Sequence, residues 1–172
     1  MTRDVDRAGE VRGGEPSPRR VDADGWTSCD LGHRHWGLVG AAGLLIVHDG
    51  GGARRFLMQH RSAQVHHGDT WAIPGGALAH GESAEDGALR EATEELADLP
   101  GGLVHLTTFT DDHGGWAYST VIVTSDTAFA ADDHGWETGA EGFAWLTADE
   151  IAGVPLHAGF AATWPTIRRL ID

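Results

Sequence analysis

At 172 residues the chain is most simply one domain, long enough to bury a substantial core. Hydrophobic residues make up 41% of it, no apolar run reaches membrane-spanning length, and the single cysteine, Cys29, excludes an intramolecular disulfide framework. A net charge of −14, with arginine supplying all twelve basic residues, argues against a nucleic-acid partner, and an anionic substrate would need metal ions and placed arginines to offset repulsion.

Residues 1 to 24 are rich in Arg, Asp, Glu, Gly and Pro and read as a disordered tail, which leaves 25 to 172 as the folded domain. The N-terminus shows no apolar secretory core, so a cytoplasmic location and no membrane partner are the expectations. Gly25 to His35 reads as irregular. Cys29, His33 and His35 carry zinc-ligand chemistry there, but no second cysteine pair accompanies them and the reading goes against a metal. Trp36 to His48 is almost uninterruptedly apolar, through Val39, Leu44, Leu45, Ile46 and Val47, and predicts one buried strand. Asp49 to Gly52 is a turn, and Arg54 to His60 returns as the second strand of a hairpin. A polar loop carrying Arg61, His66 and His67 leads to a short strand at 71–73.

Gly75-Gly76 then reads as a turn into an acidic helix over 83–98. Ser83 and Asp86 form a variant capping box, and Pro100 with two glycines supplies the stop. At about 100° per residue, Leu89, Ala92, Thr93 and Leu96 share one side and Glu91, Glu94 and Glu95 fall opposite. Such a run is ordinarily a solvated face. Beside a glycine turn, the same carboxylates also make a hard-oxygen site suited to Mg²⁺ or Mn²⁺, with Glu82 either bracing the loop or adding a ligand. Strands follow at 103–110, 116–124 and 142–146. A helix starts near Thr147, and an amphipathic helix ends the chain from Phe160 to Ile171. Strands dominate, with one helix in the middle and one at the end, which suits an α/β or α+β layer fold with a mixed sheet.

The segment Gly76, Glu82, Arg90, Glu91, Ala92, Glu94, Glu95 resembles the signature box of the Nudix hydrolases, with every charged position at the family's spacing. Ala97 and Asp98 depart from the closing glycine and apolar residue of that pattern, and Ala92 is small for its apolar position. The resemblance spans roughly Trp36 to Ile171. It implies an α/β/α sandwich and metal-dependent hydrolysis of a nucleoside diphosphate linked to another moiety, in the presence of Mg²⁺ or Mn²⁺. It also implies metal ligation by Glu91, Glu94, Glu95 and the Gly75 carbonyl. Arg90 would hold a neighbouring carboxylate, and Glu82 would complete the metal shell or orient a water. The general base would be Glu91 or a glutamate of a late loop, Glu137 or Glu141, with Glu141 favoured. Dimers are common among such proteins, so a homodimer is possible.

For the nucleotide, Trp116, Tyr118, Phe109 and Trp136 are the aromatic candidates, and Arg54, Arg55 and Arg61 could meet its anionic end. His113, His134 and His157 could bind phosphate or move a proton. The family's ADP-ribose branch carries a proline some fifteen residues past the box, and 112–116 here has none. Its dinucleoside-polyphosphate branch carries a tyrosine that Tyr118 matches only loosely. By elimination a nucleoside triphosphate, oxidised deoxynucleotides included, leads over ADP-ribose, dinucleoside polyphosphates and nucleotide sugars. A non-catalytic nucleotide-sensing module would be expected to show a broken box, and an isoprenoid-diphosphate isomerase a cysteine in the core.

Overall fold

Glycine divides the first long apolar run. In a computed structural model describing residues 23–65, 67–96, 98–131 and 140–172, the expected strand over 36–48 is two strands. Gly37 and Gly40 separate them at φ +98° and +120°, a backbone region that side chains with a Cβ rarely adopt. Before the break, β1 (Trp26–Ser28) and β2 (Arg34–Trp36) form an antiparallel hairpin where the sequence read irregular chain. After it comes the buried β3 (Ala41–His48). Trp36, Leu38 and Val39, expected inside, are 42 to 47% exposed. Ordered chain already exists at the predicted tail boundary, because Ala23 is buried and its carbonyl accepts the Leu38 N–H at 2.8 Å.

The remaining strands are β4 (Arg55–Arg61), β5 (Trp71–Ala72), β6 (Gly75–Ala77), β7 (Val104–Asp112), β8 (Ala117–Thr124) and β9 (Ala140–Thr147). The helices are α1 (Ala84–Glu95), α2 (Ala148–Ala152) and α3 (Ala158–Ile171). Gly75-Gly76, read as a turn, is therefore strand. Seven strands form one mixed sheet. β3 runs parallel to β8 and antiparallel to β4, and β9 lies along the whole of β4.

β3 and β4 touch only at Val47↔Phe56 and His48↔Arg55, then splay apart. The other end of β3 pairs with β6 at Ala41↔Ala77 and Gly43↔Gly75, while the far end of β4 pairs with β5 at Gln59↔Ala72. The Ile73-Pro74 link between β5 and β6 thus bridges the opening, and the double glycine lies along its rim.

Alternation along β3 sends side chains to two cores. Ala42, Leu44 and Ile46 pack with Leu57, Val121, Val123 and the Ala88, Ala92 and Leu96 of the helix segment. Leu45 and Val47 pack with Phe56, Met58, Ile122 and the Ile151, Phe160, Trp164 and Ile167 of α2 and α3. That is the expected α/β/α sandwich. Ser83 caps α1 by accepting the Asp86 N–H at 3.1 Å, and Thr147 with Glu150 forms a full capping box on α2.

Candidate active site

The face that α1 buries overlaps the predicted one, with Ala92 and Leu96 buried and Leu89 packed against the same core, but is rotated from it. Gly87, Ala88 and Ala92 are buried, whereas Thr93 is exposed and returns its hydroxyl to the Leu89 carbonyl at 2.7 Å. At about 100° per residue, Glu91 and Glu95 then fall between Gly87 and Ala88, inside the buried arc. The reason is across the interface. β6 presents Gly75 and Gly76, which leave room for carboxylates where side chains would stand. A Cβ on Gly76 would lie 2.5 Å from the Glu91 carboxylate, so glycine there is a condition of the site.

Glu95 receives hydrogen bonds from the Gly75 backbone N–H and the Gln59 side-chain amide, yet its Oε2 is buried with no hydrogen-bond partner. Burial, reinforced by repulsion from Glu91, pushes its pKa up to about 8 despite those bonds and the Arg61 charge. Burial also raises the Glu91 carboxyl above the ordinary range. Arg90 opposes that shift, and the Glu94 and Asp24 charges add to it. Glu94 is 59% exposed at the outer edge of the group.

Arg90 organises the surroundings. Its Nε and one terminal nitrogen each donate to a Glu82 oxygen at 3.0 Å, and that side chain is only 2% exposed. Further donations reach Glu91 at 2.7 Å, Glu94 at 3.4 Å and the Ala77 carbonyl at 2.9 Å. The hydrogen bonds it donates to Glu82, ahead of that to Glu91, hold the guanidinium firmly cationic. Glu82 also accepts the Ala79 N–H at 2.9 Å, so both its oxygens hold protein groups and it acts as the brace of the loop.

Of the predicted substrate contacts, Arg61 and Tyr118 come to this group. The Arg61 charge acts on both Glu95 and Tyr118. The Tyr118 hydroxyl rests against Gly43 and Gly75, and burial followed by the Glu95 charge raises its pKa. Arg54 and Trp116 do not come to it. Arg54 lies at the opposite end of β4 from Arg61, about 20 Å away at strand rise, donating to Asp49 at 2.6 and 3.0 Å and to the Ile171 carbonyl. Trp116 is buried, donates its Nε1–H to the Gly37 carbonyl at 2.9 Å and stacks on His35. Phe109 packs against the α3 core, and His157 caps α3. Glu141 belongs to the bulge of β9 between Gly142, opposite His60, and Ala140, opposite Arg61. Its side chain lies outside the described residues, as do His66, Ala97, His134, Trp136 and Glu137. Sequence reasoning missed Gln59, a buried polar residue inside an apolar strand, and Asp24, assigned to the tail.

Clustered anionic oxygens, an enclosed carboxylate oxygen without a partner and a glycine cradle fit a divalent cation of the Mg²⁺ or Mn²⁺ kind. Residues 37–170 match the NUDIX domain family. The chain is 38% identical over 156 residues to a Mycobacterium tuberculosis protein provisionally named 8-oxo-dGTP diphosphatase 3, covering 87% of this chain and 70% of that one. It is 34% identical over 152 residues to a Bifidobacterium longum nucleoside triphosphate pyrophosphatase/Nudix hydrolase fusion protein, 87% of this chain but only 32% of that protein. Among solved structures it resembles the Nudix hydrolase RenU of M. smegmatis, with a TM-score of 0.78 and 36% identity over 86% of this chain and 94% of that one. A C. elegans Ap4A hydrolase shares the fold at 18% identity and a TM-score of 0.60, over 77% of this chain and 97% of that one. Among the described residues, no helix is long and apolar enough to cross a membrane.

Proposed function

The chain belongs to the Nudix family of hydrolases, which act on phosphoanhydride bonds and generally use divalent metals, and from that premise we propose that it cleaves nucleoside triphosphates, oxidised deoxynucleoside triphosphates included. The approach of Glu91 to Gly76 and of Glu95 to the Gly75 N–H, with Glu94 at the outer edge and Glu95 Oε2 left partnerless, carries the reading. Glu91, Glu94 and Glu95, with the Gly75 carbonyl, hold Mg²⁺ or Mn²⁺. When bound, the metal neutralises diphosphate oxygens and lowers the pKa of an attacking water.

Arg90 fixes the glutamates by tying Glu91 and Glu94 to the Glu82 brace, so their oxygens are in place before substrate arrives. Arg61, beside Glu95, meets the anionic phosphate chain. Glu141 stands at the bulge beside the Arg61 end of β4, which supports it as the base that takes a proton from the water. The name of the M. tuberculosis relative supports the oxidised-nucleotide substrate, and the likeness to Ap4A hydrolase extends only to the fold.

The test is product release from a panel of ordinary and 8-oxo nucleoside triphosphates, ADP-ribose, a dinucleoside polyphosphate and a nucleotide sugar, with Mg²⁺ or Mn²⁺. We expect pyrophosphate release from triphosphates at the highest kcat/KM. Faster cleavage of ADP-ribose or the dinucleotide would overturn the substrate class. Metal-independent inertness toward all of them, with thermal stabilisation by one nucleotide, would leave a sensing module instead.

A further inference from the structure

A second cluster of ligand atoms lies apart from the box, where two hairpin ends meet. Cys29, His33 and His35 come from the β1–β2 hairpin and His113 from the turn between β7 and β8. One ligand atom from each of the four lies within 4.8 Å of all the others. Cys29 Sγ and His113 Nδ1 are 3.9 Å apart. In a tetrahedral zinc site with bonds of about 2.0 to 2.3 Å, neighbouring ligand atoms stand about 3.3 to 3.6 Å apart. The four side chains therefore need only small rotations to close on one ion.

The backbone brings them there. Gly32 at φ +83° turns the first hairpin, and Cys29 N–H donates to the His33 carbonyl at 3.0 Å across it. His33 and His35, two apart along one edge of that hairpin, share a face. The second turn, Gly114-Gly115, has φ near +70° at both positions. Asp30 N–H donates to the Gly114 carbonyl at 2.9 Å and joins the two turns directly.

Two further observations point to a cation. His113 Nε2 lies 2.9 Å from an Asp111 carboxylate oxygen, while Nδ1 faces Cys29. A carboxylate on the far nitrogen is what orients a ligating histidine and fixes its tautomer. The Nε2 of His35 is buried with no hydrogen-bond partner, a cost that ligation through Nε2 removes. His35 is at the same time held flat against Trp116, ring centroids 3.8 Å apart, so its plane is fixed. Hydrogen bonding alone accounts for Cys29 with His113 and explains neither the convergence of His33 and His35 nor the orphaned atom.

We infer that Cys29, His33, His35 and His113 form a structural site for Zn²⁺, clasping the N-terminal hairpin to the β7–β8 turn. One thiolate and three imidazoles suit a borderline-soft ion, and four protein donors leave no open position for chemistry. The Cys29 thiol gives up its proton on ligation. The clasp steadies Gly37, which receives Trp116 Nε1–H on its carbonyl and packs against Ala77 at the end of the glycine strand. A sequence reading limited to 29–35 sees three ligands and rejects the site, because the fourth comes from a distant turn.

The test uses the full-length chain without an affinity tag, stripped with a chelator and returned to excess Mg²⁺ to fill the carboxylate site. Titration with Co²⁺ should give a thiolate-to-metal charge-transfer band and intense tetrahedral d–d bands saturating at one ion per chain. Zn²⁺ should displace them and raise the thermal midpoint by several degrees. Cys29 is the only cysteine, so the wild-type spectrum is diagnostic even where a variant does not fold. His33→Ala, at an exposed position, and His113→Ala should each weaken Zn²⁺ affinity at least tenfold, and Cys29→Ser should remove the charge-transfer band. Absence of that band in the wild-type chain, or unchanged zinc affinity in His33→Ala and His113→Ala, would overturn the assignment. Neither outcome depends on hydrolytic activity, so it stands or falls apart from the proposed function.

Discussion

Replacing Glu95 by glutamine tests whether burial and the Glu91 charge keep this carboxyl protonated until metal arrives. In the metal-free protein Glu95 keeps its proton to about 8, against an ordinary value of 4.5. A raised carboxyl pKa means the folded state binds the proton more tightly than the unfolded state between those two values. Stability therefore falls as pH rises through that window, and the loss is complete above about pH 8. At about 1.4 kcal/mol per tenfold, the difference bounds the loss at ~5 kcal/mol, and coupling to Glu91 with partial solvent access reduces it to ~2 kcal/mol. Glutamine retains an oxygen for the Gly75 N–H but puts an amide nitrogen where Oε2 has no partner, which costs ~1 kcal/mol. Glu95→Gln should thus be less stable than wild type by ~1 kcal/mol near pH 5 and more stable by a similar amount near pH 8.5. Urea unfolding at both pH values, with divalent ions chelated, reads the crossover. The chelator affects the Cys29 cluster equally in both proteins, so their difference isolates Glu95. A stability difference that does not change with pH would refute the assigned burial and repulsion.

Glu94→Gln should reduce turnover at least 100-fold and leave the thermal midpoint within about 2 °C, because Glu94 is exposed and its loss relieves repulsion along α1. Retained activity would remove Glu94 from the metal site. Gly76→Ala pushes a Cβ into the Glu91 carboxylate and should weaken Mg²⁺ binding about tenfold by calorimetry; unchanged affinity would show that Glu91 is not held by that contact. Arg90→Met strands the Glu82 charge at 2% exposure and should cost ~3 kcal/mol in chemical unfolding, with part recovered by adding Glu82→Gln. Arg54→Ala should leave kcat/KM within about twofold, whereas Arg61→Ala should raise KM about tenfold; the reverse order would return Arg54 to the substrate path.

The box was readable because its chemistry sits at fixed spacing on one helix, and so was Arg90's hold on a neighbouring carboxylate. Glu82, expected from the resemblance to complete the metal shell or orient a water, instead has both oxygens engaged by Arg90 and the Ala79 N–H. The face was misread in part because residue hydrophobicity was weighed without the neighbour. Ala92, Leu96 and in part Leu89 are covered as the pattern reads, but Gly87 sits close to Leu78 and lets Glu91 and Glu95 reach the Gly75-Gly76 backbone, which turns Thr93 out to solvent. Gln59 stayed hidden because a buried amide in an apolar strand has no period of its own and acquires meaning only from Glu95. Arg54 and Arg61 looked equivalent in sequence, and only the splay between β3 and β4 puts one at the glycine rim and the other at α3.

Burial, more than residue identity, assigns the acids of α1 and its loop their roles. Glu82 at 2% exposure is fully engaged with Arg90, Glu91 at 17% is shared between Arg90 and the glycine cradle, and Glu94 at 59% keeps most of its surface free. Among these three, exposure rises as commitment to the protein falls. Glu95 departs from the order, buried yet with Oε2 unengaged, so the site offers one free oxygen from within as well as Glu94 from its edge. The Cys29 cluster inverts this chemistry, offering sulfur and nitrogen where the box offers oxygen. Hard ions with a reluctance to lose water favour the glutamates, and softer ions favour the thiolate and imidazoles. One chain can then sort two metals without a barrier between them. Asp24, two residues before the hairpin that the cluster would clasp, adds a minor repulsion to the Glu91 carboxyl, behind burial and the Glu94 charge.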